Sequence, residues 1–161
     1  MRSLILISAL LALVACESDD DTEFVFERIN PETLNRHPAY SQVTTITGET
    51  KFIYVAGQTD RGLDYTPGSN ACQHDDWRGQ IIGVNENVER GLRAAGATWD
   101  DVVFIRRFVL DMTAYRAVVN AIPSVWENRD PPPSTLIEVG ALSEPCQLLE
   151  VDVFAAVSAD E

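Results

Sequence analysis

Residues 130–157, D-P-P-P-S-T-L-I-E-V-G-A-L-S-E-P-C-Q-L-L-E-V-D-V-F-A-A-V, restrict the fold more than any other stretch of the chain. A proline-stiffened lead-in is followed by two strand patterns. Thr135 to Val139 is rich in β-formers. Further on, Leu149, Val151 and Val153 alternate with Glu150 and Asp152, the period of two expected of a strand with one face in a core and one outside it. Gly140 and Pro145 punctuate the connection.

The segments upstream supply what such strands pack against. Trp77 to Ala95 reads as a helix: Ile81, Val84, Val88, Leu92 and Ala95 recur every three or four residues, Asp75 or Asp76 can cap the start, and Gly96 suits the position just past the end. Phe24-Val25-Phe26 opens the folded part as an edge strand that stops at Asn30-Pro31. Gln42 to Thr47 and Lys51 to Gln58 are β-branched and aromatic runs joined by Gly48-Glu49, a hairpin pattern. Val102 to Leu110 reads as a buried strand. A second helix is expected from Thr113, as N-cap, through Tyr115, Val118, Val119, Ile122 and Trp126, with Pro123 ending or kinking it. The order β, hairpin, α, β, α, β, β predicts an α/β (α+β) domain: a mixed sheet with two helices packed on one face. At 161 residues one domain is expected.

The first residues read as an address. Arg2 precedes an apolar run from Leu4 to Leu13, too short for the roughly 20 residues a membrane span needs. Leu13-Val14-Ala15-Cys16 fits a lipobox, so residues 1–15 are expected to be a lipoprotein signal peptide and Cys16 the lipidated residue, the alternative being a plain secretory peptide. Residues 16–23 form an acidic tether, residues 24–157 the domain and residues 158–161 a tail. The implied location is the bacterial cell envelope, lipid-anchored to a membrane and facing the periplasm or exterior. Two cysteines then remain, Cys72 and Cys146, and an even count in an exported protein suggests a disulfide; two separate thiols are the alternative. The formal net charge of −13, from 25 acidic against 12 basic side chains, opposes a polyanionic partner, so no nucleic acid is expected. Cys72 and His74 lie in a long loop, residues 59–76, without further nearby ligands. Neither a metal nor a cofactor is expected.

Several ordered motifs resemble the RidA (YjgF) family of imine/enamine deaminases. They are A-Y-S-Q at Ala39 to Gln42, A-G-Q-T at Ala56 to Thr59, the helix-to-strand run from Gln80 through Asn87 and A-A-G to Val103, Y-R-A-V-V-N-A at Tyr115 to Ala121, and P-x-x-S-T-x-x-E-V-x-x-L followed by L-E-V-D-V-F-A. The resemblance implies a chorismate mutase-like fold and a homotrimer with small-molecule pockets between subunits. It implies hydrolysis of reactive 2-imino or enamine acids such as 2-iminobutanoate and 2-iminopropanoate, with Glu150 placing or protonating the water and Tyr40, Gly57, Gln58 and Asn120 lining the pocket. In the family's P-A-R-S/T the arginine holds the substrate carboxylate; here Pro133 stands in its place. Two expectations follow, a deaminase-like hydrolase or a noncatalytic binding or accessory module.

A relocated cation is sought among Arg106, Arg107 and Arg129. Adjacent strand residues face opposite ways, so Arg106 shares a side with Phe104, Phe108 and Leu110, which reads as the core face, and Arg107 shares one with Ile105 and Val109. That reasoning makes Arg107 the candidate substrate-binding cation. The alternative is that both arginines pair with carboxylates such as Asp111, Glu138 or Asp152.

Overall fold

The computed structural model describes residues 23–66 and 72–160. Seven hydrogen-bonded or helical segments of more than one turn precede the last strand, and their order is β1 (Val25–Ile29), β2 (Val43–Thr47), β3 (Thr50–Gln58), α1 (Trp77–Ala94), β4 (Val102–Val109), α2 (Met112–Val119), β5 (Ser134–Glu138) and β6 (Leu149–Ser158). Four of the strands form one sheet in the order β3-β6-β4-β5. The β3–β6 and β6–β4 pairs are antiparallel and the β4–β5 pair is parallel, with α2 lying on the crossover between the parallel strands. The sheet is therefore mixed, and both helices pack on one of its faces.

The core is built by period. On α1, Ile81, Val84, Val88 and Leu92 form the apolar stripe and are 5% exposed or less. Each contributes about 2 kcal/mol by leaving water. They meet Ile53 and Val55 of β3, Ile105 and Val109 of β4, and Leu149, Val151 and Val153 of β6. Asp76 caps α1 by accepting from the Gly79 amide at 2.9 Å. Gly96, at φ 82°, takes the left-handed turn past the helix end that a side chain would resist.

Three expectations about the elements are corrected. The hairpin expected between 42–47 and 51–58 does not form: β2 pairs with β1, Val43 opposite Ile29, while β3 pairs with β6. Gly48, at φ 87°, turns the chain from one sheet into the other, a corner rather than a hairpin loop. The N-cap of α2 is Asp111, which accepts from the Ala114 amide at 2.8 Å, and not Thr113. The same helix stops at Val119 instead of running to Trp126. The ring of Pro123 would meet the carbonyl four residues back, that of Val119, and that is where the helix ends. Ile122 and Trp126 still pack against the core, Trp126 edge-on to Trp99 with ring centres 5.3 Å apart. The lipobox and signal peptide lie outside the described residues.

The sheet face away from the helices is left uncovered in the single chain. Phe52 and Tyr54 of β3 are 57% and 69% exposed. Tyr54 packs edge-on to Phe154, ring centres 5.0 Å apart, and Phe154 lies 5.8 Å from Phe104, so an aromatic band runs across three strands.

Candidate functional site

Glu150 reaches the open face because its neighbours on β6, Leu149 and Val151, are taken by the core. It stands opposite Phe108 of β4. On its other side β3 is irregular: the register with β6 shifts between Val55 and Gln58, and Gly57 lies within that shift. The Glu150 carboxylate rests directly on the Gly57 backbone. A Cβ at position 57 would come within 1.8 Å of Glu150 Oε1, so the carboxylate occupies the space that any other residue would fill.

Around Glu150 opens a cleft of about 310 Å³ lined by Phe108, Val139, Ala141, Leu142 and Ser143. Four of these come from the connection after β5, and a buried polar network holds that connection in place. Gln80 of α1, wholly buried, donates to the carbonyls of His74 and Cys146 at 2.9 and 2.8 Å and accepts from the Leu148 amide at 2.8 Å. Gln147, also wholly buried, accepts from the Ser143 hydroxyl and the Glu144 amide and donates to Thr59 Oγ1 at 3.1 Å. Buried amides satisfied on both ends fix position more firmly than apolar packing does. Cys72 and Cys146 form a disulfide, S–S 2.18 Å with Cα atoms 6.0 Å apart, which ties the long 59–76 loop to the same connection. Next to it, the fully buried Asp60 accepts from the His74 amide at 2.7 Å and lies 3.1 Å from His74 Nδ1.

The remaining expected site residues are dispersed. Gln58 adjoins Gly57 and folds its amide back on Ala56 O at 2.9 Å. Tyr40 stacks on His37, and the neighbouring Ser41 donates from both its amide and its hydroxyl to Pro131 O, fastening this stretch to the prolines before β5. Asn120 caps the end of α2 and is exposed. Neither Tyr40 nor Asn120 lines the cleft at Glu150.

The orientation expected for the arginines is reversed. Ile105 and Val109 are 1% and 0% exposed, so the side they share with Arg107 is the core side. Arg107 points under the helices and donates to Ser134 Oγ at 2.7 Å. Burial pushes its guanidinium below the ordinary value, which nearby Tyr115 partly offsets. Arg106 shares the open face with Glu150 and makes three hydrogen bonds of 2.6 to 3.1 Å to the Asp152 carboxylate. That bond and charge raise its pKa. Arg129 pairs with Asp100 at 2.9 Å. Counting apolar neighbours misled because Phe104 and Phe108 belong to the exposed aromatic band, not to the core. Phe108, Val139, Ala141, Leu142 and Ser143 were not anticipated as lining residues, nor was Arg61, which donates to Ser143 Oγ at 3.0 Å across 82 positions of sequence. The local signals available were the place of Phe108 on β4 and of Val139 and Leu142 within the matched motif before β6. Among the described residues no group of three or more His, Cys, Asp or Glu side chains could hold a metal.

A mixed sheet under two helices, with a strand-borne glutamate over a glycine at a sheet irregularity, defines an α+β fold class. Residues 31–157 match the family described as Endoribonuclease L-PSP, the RidA/YjgF family, and the chain belongs to it. The Rid-family protein YyfB of Yersinia pestis, of unknown function, is 29% identical with a TM-score of 0.68, over 82% of this chain and 98% of that one. A YjgF/YER057c/UK114-family protein of Mycobacterium tuberculosis is 25% identical, TM-score 0.54, over 83% of this chain and 100% of that one. A probable translation initiation inhibitor of Rhodopseudomonas palustris is 25% identical, TM-score 0.56, over 84% and 100%.

Proposed function

We propose that this chain is a lipid-anchored envelope member of the RidA/YjgF family whose cleft at Glu150 binds a small molecule and hydrolyses a reactive imine or enamine. The observation that carries the reading is the Glu150 carboxylate seated on Gly57 at the wall of an open cleft. In that position Glu150 takes a proton from water as its oxygen adds to the C=N carbon. It returns that proton to the nitrogen, giving a carbinolamine; it then takes the hydroxyl proton and passes it to the nitrogen as the C–N bond breaks, giving a carbonyl compound and ammonia. The cleft is open because, in this reading, a second subunit closes it: the exposed aromatic band mediates a homotrimer, and Tyr40 and Asn120 come to each cleft from a neighbour. Cleavage of RNA is not part of this reading, since a formal charge of −13 repels a polyanion.

The test is ammonia release from 2-iminobutanoate and 2-iminopropanoate, generated in place, with Glu150→Gln alongside. Turnover in wild type and a loss of about a hundredfold in the variant are expected; equal rates for both proteins would refute the assignment. The second reading, a binding module without turnover, is favoured by Pro133 together with the engagement of Arg106, Arg107 and Arg129 elsewhere. It predicts binding without ammonia release. For the envelope location the supports are the lipobox at Cys16 and the Cys72–Cys146 bridge, which belongs to an oxidising compartment. Cys16→Ser should leave the protein in the soluble fraction; membrane fractionation of that variant would remove the lipid anchor from the proposal.

A further inference from the structure

Strands β1 and β2 form a ribbon of their own, apart from the four-stranded sheet. Its inner face is tied to the domain: Arg28 reaches from β1 to the carbonyls of Asp100 and Val102 at 3.2 and 3.0 Å. Its outer face carries Ile29 and Val43, directly opposite each other at one end of the ribbon and 38% and 37% exposed. The connection at that same end adds Leu34, 50% exposed. Leu34 is held there by an ordered turn. Its amide donates to Pro31 O at 3.1 Å, Gln42 donates from its amide to Asn30 Oδ1 at 3.1 Å and from its side chain to Asn35 O, and Ser41 fastens the stretch to Pro131 O.

Charge singles out the same end. Residues 33–48 contain no Asp or Glu in a chain that has 25, and Arg36 lies exposed in the turn. Glu27 and Glu32 precede the stretch and Glu49 follows it. A bilayer that bears anionic phosphates repels a body of net charge −13, and a surface without carboxylates is the one that approaches it at least cost.

Chain length brings that surface within reach. Nine positions separate Cys16 from Val25, so a lipid on Cys16 holds the start of β1 within about 32 Å of the bilayer. Ile29 stands at the other end of the five-residue strand, about 13 Å further on. In a cyclic trimer all three anchors lie in one bilayer, which sets the three-fold axis along the membrane normal and brings three equivalent turns to one plane. Contacts that are weak singly then act together.

We infer that the β1–β2 turn is the membrane-facing surface of this protein: Leu34, with Ile29 and Val43 behind it, enters the headgroup layer of the bilayer that holds the anchor, and Arg36 meets the lipid phosphates. The contact orients the domain and does not attach it. A short apolar turn without acyl chains has too little membrane affinity to hold a protein, so Cys16→Ser is still expected in the soluble fraction. The inference rests on the lipid-anchor reading above and gives the anchored protein a fixed pose.

Fluorescence tests it on the full, acylated chain in vesicles of phosphatidylethanolamine and phosphatidylglycerol. With Cys16 acylated and Cys72 bonded to Cys146, Leu34→Cys supplies a single thiol for an environment-sensitive dye, and Ile82→Cys on α1, 37% exposed, supplies the control. On vesicles the dye at position 34 should shift to the blue and be quenched by brominated lipid at least about threefold more than the dye at position 82. The unlabelled chain gives an independent readout: hydrogen exchange over residues 30–42 should slow about tenfold on vesicles, and Leu34→Asp should abolish that slowing while the protein stays bound. Equal quenching at the two positions, with the protein on the vesicles, overturns the surface and leaves the anchor standing. A chain that does not stay on the vesicles overturns both. A dye at position 34 already shifted to the blue in the soluble Cys16→Ser protein shows a second copy covering the turn, and that also overturns the inference.

Discussion

At the scale of single residues, two positions show opposite uses of space and charge. Gly57 is required because Glu150 fills the volume beside it, a contact of 1.8 Å for any added Cβ. Gly57→Ala should swing the carboxylate off its seat while leaving the core intact, since the displaced group is a side-chain end on the open face. The expected result is a fall of about a hundredfold in kcat/KM for ammonia release, the scale set by a 1 Å misplacement, with Tm little changed. Arg107 makes one hydrogen bond under the helices and, among the described residues, has no carboxylate within ion-pair distance. Desolvating a cation with so little return costs stability, so Arg107→Met should stabilise the fold by about 1 kcal/mol in urea titration. Destabilisation by that amount would show that the Ser134 contact outweighs the desolvation. Burial lowers the Arg107 pKa from the ordinary guanidinium value, and an arginine keeps its charge throughout the usual range.

At the scale of elements, the cleft wall is the part of the fold that secondary structure does least to hold. The connection between β5 and β6 contains no helix or strand, and its shape rests on Gln80, Gln147 and the Cys72–Cys146 bridge. The bridge closes a separation of 74 residues. Replacing both cysteines by serine should cost about 2–4 kcal/mol, measured by denaturation without reductant. Because the same bridge pins the wall that carries Ser143, ligand affinity should fall with it. A variant that loses stability but binds as well as wild type would show that the glutamine network alone shapes the wall.

At the scale of the whole molecule, the uncovered sheet face is the dominant feature. Phe52, Tyr54 and Ile137 are all more than a third exposed, and this is the apolar surface that the proposed trimer would cover. The Arg106–Asp152 pair lies within it, a charge pair already neutralised by direct opposition on neighbouring strands. Sedimentation should give a trimer at micromolar concentration, and Phe52→Lys combined with Tyr54→Lys should give a monomer that keeps its far-UV spectrum. A wild-type monomer would refute the trimer and, with it, the delivery of Tyr40 and Asn120 to a neighbouring cleft.

Much of this was legible in the residues alone. The helix from Trp77, its capping by Asp76 and Gly96, the outward turn of Glu150 between Leu149 and Val151, and the family motifs are all local or ordered patterns, readable because each is set by its own periodicity. What the tertiary structure decided was which of two alternating faces is covered. Period two on β4 separates Arg106 from Arg107, but only the packing of Ile105 and Val109 under α1 made Arg107's side the core. The aromatic side, which looked more apolar, is the one left open. The pairing of β2 with β1 and the contact of Arg61 with Ser143 escaped for the same reason. They join segments by proximity in space, and a contact across 82 residues leaves no periodic trace in either segment.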